Sequence, residues 1–297
     1  MNLLRAAVEA PYYALLRSAP GAAGPACALM AKVAWAGMPH WRRNLLRNAR
    51  LALGPEASEE ACVRCAHAMM RAMQRAVAEV FEAADATPES LRARVVEIHG
   101  REAYARVRAL RRGAVLAGIH MGAFEPALAW LAHIERRVHV LYHPDASPQF
   151  EQARSRLRRR LGVVEHRLTD GVAAWGELRD ALLADEVVVL HADRVMPRQQ
   201  GAKMPFLGVD DARLPTGPVR LAASAGAALV PTFCIRTPRG LEVIADEPVV
   251  LAEEPLASRE VAASAAQRAL VASMERRIRA QPQEWLAFAD LREGDAR

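Results

Sequence analysis

From Val95 onward the chain alternates short apolar runs with helical segments, and this alternation restricts the possible fold more than any other feature. The runs that indicate strands cover residues 95–98, 114–119, 138–142, 162–165, 187–190, 228–234 and 241–244. The segments that indicate helices between and after them cover residues 101–111, 123–135, 148–161, 171–184, 215–225 and 258–280. Strands that alternate with helices predict an α/β fold with a mostly parallel central sheet flanked by helices.

Residues 1–92 have a different pattern and predict a helical N-terminal region, with residues 93–297 forming the α/β catalytic domain in one continuous unit. Helices are expected over residues 2–17, 25–37, 41–53 and 58–84, with breaks at proline and glycine positions. Residues 18–38 carry only Lys32 as a charge, but their prolines and glycines make a poor membrane-spanning helix. An interfacial anchor is therefore predicted, and an ordinary amphipathic helix packed on the domain is the alternative. Basic residues follow this segment at Arg42, Arg43, Arg47 and Arg50 and suit anionic headgroups.

The charge of the chain restricts its partners. With 40 Lys and Arg against 34 Asp and Glu, the net charge is +6, which suits nucleic acid, anionic lipid or an acidic carrier protein. Nucleic acid is disfavoured because aromatic residues are only 5% of the chain and neither helix-turn-helix nor zinc-finger spacing is present. Charged residues interrupt the first twenty positions, so no cleavable signal peptide is evident, and a cytoplasmic origin is expected.

The four cysteines are too few for a disulfide scaffold in a chain of 297 residues. Cys62 and Cys65 have CxxC spacing, but they fall in a long helical stretch without further metal-ligating partners. Helix packing is the predicted role of this pair. No metal and no cofactor are expected.

His120 and Glu125 form the strongest candidate catalytic pair. His120 follows the apolar run at residues 114–119, and Glu125 lies one turn into the next helix, with Gly122 permitting a tight connection. A carboxylate in that position could fix the imidazole tautomer and stabilise its charge during proton uptake. No serine or cysteine nucleophile stands beside the pair, which favours direct attack by a substrate hydroxyl. A structural histidine at a strand end is the alternative.

Further motifs follow in a defined order. They are His-Ala-Asp-Arg at 191–194, Arg198, Met-Pro-Phe-Leu-Gly at 204–208, Pro-Thr-Gly-Pro-Val-Arg-Leu-Ala at 215–222 and Gly-Ala-Ala-Leu-Val-Pro at 226–231. Arg-Arg-Asn-Leu at 42–45, with Asn48, precedes them, and Gln-Pro-Gln-Glu-Trp-Leu at 281–286 ends the series. Together with His-x4-Glu, this series resembles the lysophospholipid acyltransferase superfamily. Within it, the chain is most similar to the late acyltransferases of lipid A biosynthesis and their glycolipid-modifying relatives.

This resemblance implies transfer of a fatty acyl chain from acyl carrier protein, or from acyl-CoA, to a hydroxyl of a membrane glycolipid. His120 would be the general base and Glu125 its orienting partner. The residues expected to bind substrate are Gly122, Arg158, Asp193, Arg194, Arg198, Thr216, Gly217 and Arg220. The oxyanion would be bound by backbone N–H groups near Gly122 or by an arginine. The resemblance also implies the cytoplasmic face of the inner membrane, with peripheral attachment or a weak N-terminal anchor.

Several alternatives stay open at this stage. The arginines at 154–160 could form a solvated helix face, Asp193 could be a loop cap, Thr216 could cap a helix rather than mark a phosphate site, and His191 is expected to be structural. The acceptor could be a glycerophospholipid, a phosphatidylinositol mannoside, an ornithine lipid or a lipid made by a gene cluster. A catalytically inactive lipid-binding relative is the alternative from another functional class.

Overall fold

A computed structural model describes residues 3–196, 199, 201–251 and 256–292, without the side chains of residues 3–8, 20 and 256–260. The helices are α1 (Leu3–Ser18), α2 (Ala23–Gly37), α3 (Pro39–Leu53), α4 (Glu59–Asp85), α5 (Pro88–Ala93), α6 (Arg101–Ala109), α7 (Phe124–Ile134), α8 (Pro148–Arg160), α9 (Val172–Leu183), α10 (Gly217–Ala225) and α11 (Leu256–Ala280). The strands are β1 (Val95–His99), β2 (Ala114–Gly118), β3 (Val138–Tyr142), β4 (Val164–Arg167), β5 (Val187–His191), β6 (Gly201–Phe206), β7 (Val209–Pro215), β8 (Ala228–Thr237), β9 (Gly240–Ala245) and β10 (Val249–Val250). Short 3₁₀ turns lie at Pro20–Ala22, Leu168–Asp170 and Pro282–Glu284.

The central sheet has the strand order β1-β9-β8-β2-β5-β3-β4, and β10 adds to β8. The pairs β1·β9, β8·β2, β2·β5, β5·β3 and β3·β4 are parallel, whereas β8·β9 and β8·β10 are antiparallel. The prediction of an α/β fold with a mostly parallel sheet is therefore confirmed. Strand β2 lies near the middle of the sheet with all of its residues buried, which explains its uninterrupted apolar sequence.

The hairpin formed by β6 and β7 was not expected from the sequence. Its two strands pair antiparallel across a two-residue turn at Leu207 and Gly208, which have φ values of 51° and 81°. Positive φ at both central residues is the geometry that matches the twist of a hairpin. Because β6 contains Lys203 and Pro205, its sequence lacks the apolar pattern of a strand.

The N-terminal helices pack into the same core as the sheet. Leu45 of α3 and Met69 of α4 have no exposed surface, and they share one hydrophobic cluster with Val115 of β2 and Leu229 of β8. Cys62 and Cys65 are buried free thiols in α4, and burial raises the pKa of Cys65 to about 11. Among the described residues, no helix is both long and apolar enough to cross a bilayer.

Candidate active site

The carboxyl ends of β2 and β5 bring the candidate catalytic residues together. These two strands are parallel neighbours with Gly118 opposite His191, and the Ala192 N–H donates to the Gly118 carbonyl at 2.8 Å. Parallel neighbours end at the same edge of a sheet, so the loops that follow them converge. His120 and Asp193 each lie two residues beyond this matched pair, which places their side chains in contact.

The carboxylate of Asp193 is the partner of the His120 imidazole. His120 Nδ1 lies 2.8 Å from Asp193 Oδ1, and the His120 backbone N–H donates to Asp193 Oδ2 at 3.2 Å. A third hydrogen bond comes from the Trp285 indole, whose Nε1–H donates to Oδ2 at 3.1 Å. Three donors thus hold a carboxylate that is only 2% exposed, and they fix its orientation toward the imidazole.

The contacts of His120 define its tautomer. Arg194 Nη2 lies 3.2 Å from His120 Nε2, and a guanidinium can only donate hydrogen bonds. His120 Nε2 must therefore accept, so the ring proton of the neutral imidazole is on Nδ1 and is donated to Asp193. This is the tautomer that a general base needs, because the lone pair on Nε2 is directed away from the orienting carboxylate.

The electrostatics of Asp193 support this arrangement. Burial alone would raise the pKa of the Asp193 carboxyl, but the charge and hydrogen bond of His120, with Arg194 nearby, outweigh burial. The pKa of Asp193 therefore lies well below its usual range. Asp193 is an anion at neutral pH and stabilises positive charge on the imidazole.

Glu125 has ion-pair partners other than His120, so the contact expected between these two side chains is not formed. Its carboxylate is 3% exposed and accepts from Arg158 Nε at 3.0 Å and from Arg158 Nη2. Arg154 Nε lies 3.9 Å away and is the remaining ion-pair partner of Glu125 among the described residues. The start of α7 directs the Glu125 side chain toward α8 instead of toward the imidazole.

Arg158 was expected to bind substrate, but the structure places it in the protein interior. Its side chain is 5% exposed, and its remaining nitrogen, Nη1, donates to Glu165 at 3.2 Å. The guanidinium also lies over the Tyr142 ring, 5.0 Å from its centroid. Arg156, Arg159 and Arg160 on the same helix are exposed, as expected for a solvated face. Arg158 therefore joins α8 to the start of α7 and to β4.

Gly122 is required for its backbone geometry. Its φ is 63°, and a Cβ at this position would collide with the carbonyl oxygen of Cys234. Its N–H donates to the Glu284 carbonyl at 3.3 Å, and its carbonyl accepts from Arg236 Nη2 at 3.0 Å. Arg236 also pairs with the carboxylates of Glu79 and Glu284. It therefore joins α4 and the C-terminal segment, residues 282–291, to the loop after β2.

Residues 282–289 form a wall of the site that the sequence did not reveal. The Leu286 N–H donates to the His120 carbonyl at 2.7 Å, and Met121 forms a β-bridge with Trp285. From α3, Asn48 Nδ2 donates to the carbonyls of Ala287 and Ala289, each at 3.0 Å. Two motifs could have predicted this contact, Arg-Arg-Asn-Leu at 42–45 with Asn48 and Gln-Pro-Gln-Glu-Trp-Leu at 281–286. The first supplies the donor, and the second begins the segment that accepts.

Asn48→Ala is expected to lower the free energy of unfolding by about 2–3 kcal/mol, because Asn48 is fully buried and its loss leaves two carbonyls without their donor. Asn44→Ala is the matched control. Asn44 is partly buried and makes one such bond, to the Phe288 carbonyl at 2.9 Å, so a loss of about 1 kcal/mol is expected. Urea unfolding measures both variants, and equal losses would show that the second hydrogen bond and the burial of Asn48 add no stability.

The remaining expected binding residues differ in their positions. Arg194 lines a small pocket with Asp193, with Arg213 of β7 and with Ala287 and Asp290 of the C-terminal segment. Arg213 is exposed and was not expected from the sequence. Arg198 lies outside the described residues.

The start of α10 is covered by an aromatic ring. A Cβ at Gly217 would meet the Trp175 ring, and the Thr216 side chain makes no capping hydrogen bond. A phosphate in contact with this helix terminus would compete with Trp175 for space. Arg220 lies on the exposed face of the same helix, so its guanidinium is accessible to solvent.

One acidic cluster among the described residues has spacing suitable for a metal ion, formed by Glu97 and His99 of β1 and Glu242 of β9. Arg239 donates to Glu97 at 3.0 Å and to Glu242 at 3.1 Å. Its guanidinium therefore already neutralises charge in the cluster. The cluster contains none of the catalytic candidates.

Sequence comparisons relate the chain to known lipid acyltransferases. Over 129 residues the chain is 33% identical to a phosphatidylinositol mannoside acyltransferase of Mycobacterium tuberculosis (strain ATCC 25618 / H37Rv). That alignment covers 43% of this chain and 40% of the length of the relative. The model of the bacterial lipid A biosynthesis acyltransferases matches residues 14–291, which include β2, β5 and the C-terminal segment. The chain therefore belongs to the bacterial lipid A biosynthesis acyltransferase family.

Proposed function

We propose that this enzyme is an O-acyltransferase that moves a fatty acyl chain from acyl carrier protein or acyl-CoA to a hydroxyl of a membrane glycolipid, in the manner of late lipid A acylation. The observation that carries the proposal is the hydrogen bond of 2.8 Å between His120 Nδ1 and Asp193 Oδ1. With Nε2 as acceptor, His120 has the tautomer of a general base. Asp193 takes the orienting role that the sequence had suggested for Glu125.

In the first step, the acceptor hydroxyl donates its proton to His120 Nε2 while its oxygen attacks the carbonyl carbon of the donor thioester. A carbon–oxygen bond forms, and the carbonyl π electrons move to oxygen. Asp193 is already ionised because its pKa is depressed, so it stabilises the imidazolium without taking the proton. No covalent enzyme intermediate is needed.

In the second step, the tetrahedral intermediate collapses, the carbon–sulfur bond breaks and the thiolate takes the proton from His120. The oxyanion of the intermediate needs a donor close to Nε2, and Arg194 Nη2 lies 3.2 Å from that atom. A hydroxyl that binds Nε2 would displace this contact and leave the guanidinium beside the reacting carbonyl. Gly122 is a weaker candidate because its N–H is used by the Glu284 carbonyl.

Arg194 and Arg213 supply positive charge beside this centre. Both line the same pocket next to Asp193, and guanidinium groups suit phosphate through planar pairs of donors. The phosphate could belong to the acceptor lipid or to the phosphopantetheine arm of the donor. The exposed guanidinium of Arg220 is a further candidate contact.

A glycolipid is the acceptor class that the comparisons favour. The family model is named for lipid A biosynthesis, and the aligned relative is named for a phosphatidylinositol mannoside. A phosphatidylinositol mannoside is therefore the second candidate acceptor. Ornithine lipids, lipids made by gene clusters and glycerophospholipids are further candidate acceptors. Retention of His120 with an orienting carboxylate disfavours an inactive lipid-binding relative.

Transfer of labelled acyl chains tests the proposal. The purified enzyme is given acyl carrier protein or coenzyme A carrying a labelled acyl chain, together with membrane glycolipids, and the products are identified by mass spectrometry. Wild-type enzyme should yield an acylated glycolipid, and His120→Ala should not. His143→Ala is the matched control, because the exposed His143 imidazole contacts the neighbouring Pro144 carbonyl and its removal should leave transfer unchanged. Transfer at the wild-type rate by His120→Ala would refute the general-base role. Absence of transfer by the wild type from either donor would refute the function.

We further propose that the N-terminal helices are a membrane-docking surface and that the enzyme acts peripherally at the cytoplasmic face of the inner membrane. Leu29 and Val33 lie one turn apart on α2 and are 64% and 43% exposed. The next helix carries four exposed arginines, Arg42, Arg43, Arg47 and Arg50. Exposed apolar side chains on one helix and exposed arginines on the next suit the interface of an anionic bilayer.

Leu29→Glu with Val33→Glu is expected to lower binding to anionic vesicles by at least about tenfold, because two carboxylates would have to enter the interface. Sedimentation with vesicles of phosphatidylglycerol and phosphatidylethanolamine measures the change. Val172→Glu is the matched control, since Val172 is 89% exposed on α9. An equal loss of binding in the control would mean that α2 is not the docking surface.

A further inference from the structure

His191 lies against the catalytic imidazole in an aromatic stack. It is the last residue of β5, and its ring centroid is 4.0 Å from that of His120 with an interplanar angle of 21°. The Phe124 ring contacts both histidines edge to face, with its centroid 4.5 Å from that of His191 and 5.9 Å from that of His120. One face of the His120 ring is therefore covered by a second imidazole.

The surroundings of His191 keep its ring uncharged. Burial lowers the pKa of His191 well below its usual range, and the positive charges of His120, Arg194 and Arg158 lower it further. Asp193 acts in the opposite direction and is outweighed. At neutral pH the stack therefore consists of a neutral His191 ring beside a His120 ring that takes up a proton during the reaction.

We propose that His191 is a positioning residue for acyl transfer, whose neutral ring fixes the plane of the His120 imidazole and stabilises the imidazolium that forms when His120 accepts the proton of the acceptor. The inference rests on the proposed general-base role of His120. It assigns to His191 a function in the reaction, where the sequence indicated only a structural role.

The physical basis is the attraction between a cation and the face of a neutral aromatic ring. The contact strengthens as positive charge develops on His120, so it stabilises the transition state more than the ground state and contributes to kcat. Arg194 beside Nε2 opposes that charge, whereas Asp193 at Nδ1 and His191 on the ring face favour it.

A pair of substitutions separates the effect of the ring from the filling of space. His191→Phe keeps an aromatic face, whereas His191→Leu keeps an apolar side chain of similar length without one. His191→Phe should keep kcat within about threefold of the wild type, and His191→Leu should lose about 3- to 30-fold with little change in KM. The acid limb of the pH profile of kcat/KM should move to lower pH by about 0.5–1 unit in His191→Leu only, because its imidazolium is less stable.

Titration of His120 in the free enzyme gives a readout that does not depend on acyl transfer. NMR of the ring-labelled protein should show a lower His120 pKa in His191→Leu than in the wild type or in His191→Phe. A wild-type His120 pKa in the leucine variant would overturn the inference, as would equal losses of kcat in both variants. If the wild type transferred no acyl group, the proposed function would fail, whereas this titration would still test the stack.

Discussion

Asp193→Asn is expected to lower kcat for acyl transfer by about 10²–10⁴-fold, with a smaller effect on KM. The asparagine amide could donate to His120 Nδ1, which would favour the tautomer with its proton on Nε2. That tautomer cannot accept a proton from the acceptor hydroxyl. The substitution also removes the negative charge that stabilises the imidazolium. Steady-state rates at saturating acyl donor measure the loss.

Trp285→Phe is the matched control for Asp193→Asn. It removes the Nε1–H bond of 3.1 Å to Asp193 Oδ2 but keeps both the carboxylate and an aromatic ring at a fully buried position. Its kcat should fall by less than about tenfold, because the contact between Asp193 and His120 is retained. Melting temperatures of the two variants separate loss of catalysis from loss of fold. An Asp193→Asn enzyme within threefold of the wild type would show that Asp193 does not orient His120.

Arg158→Met is expected to lower the free energy of unfolding by about 3–5 kcal/mol. The substitution leaves the Glu125 carboxylate, which is 3% exposed, without its bidentate partner. A buried charge without compensation costs far more than the net value of the pair, because its hydration is not recovered. Glu125→Met should be destabilising for the same reason, since it leaves the Arg158 guanidinium with Glu165 alone at 3.2 Å.

The double variant Glu125→Met with Arg158→Met should be destabilised by less than the sum of the single variants, because it removes both buried charges together. Arg64→Met is the exposed control. Arg64 and Glu60 form an ion pair whose side chains are 65% and 83% exposed, so a change of about 0–1 kcal/mol is expected. Urea unfolding measures all four variants. If the double variant lost as much free energy of unfolding as the two single variants together, Glu125 and Arg158 would not be coupled as a buried ion pair.

Much of the sheet could be predicted from the sequence because parallel strands buried on both faces appear as continuous apolar runs. Strand β3 was predicted with its observed bounds, Val138–Tyr142. The hairpin of β6 and β7 could not be predicted in this way, because Lys203, Pro205 and two aspartates give its strands a polar pattern. Its pairing depends on a turn with positive φ at Leu207, which is an unusual residue for that conformation.

The partner of His120 could not be identified from sequence spacing. Glu125 lies five residues from His120 and was the nearest carboxylate in the sequence, whereas Asp193 lies 73 residues away. Only the pairing of β2 with β5 brings Asp193 to the imidazole. The interior position of Arg158 could not be predicted from the sequence either, because its arginine-rich helix suggests a solvated face. The contact with Glu125 depends on how α8 packs.

The most direct test of the account compares single-turnover acyl transfer by Asp193→Asn with that by the double variant Glu125→Met with Arg158→Met. Both enzymes are preloaded with labelled acyl donor and mixed with the same glycolipid acceptor, at a temperature where each is folded. If Asp193 orients His120 and Glu125 supports the fold, Asp193→Asn loses at least about 100-fold while the double variant stays within about tenfold of the wild type. A double variant as inactive as His120→Ala, with an Asp193→Asn enzyme near the wild-type rate, would contradict the account and return the orienting role to Glu125.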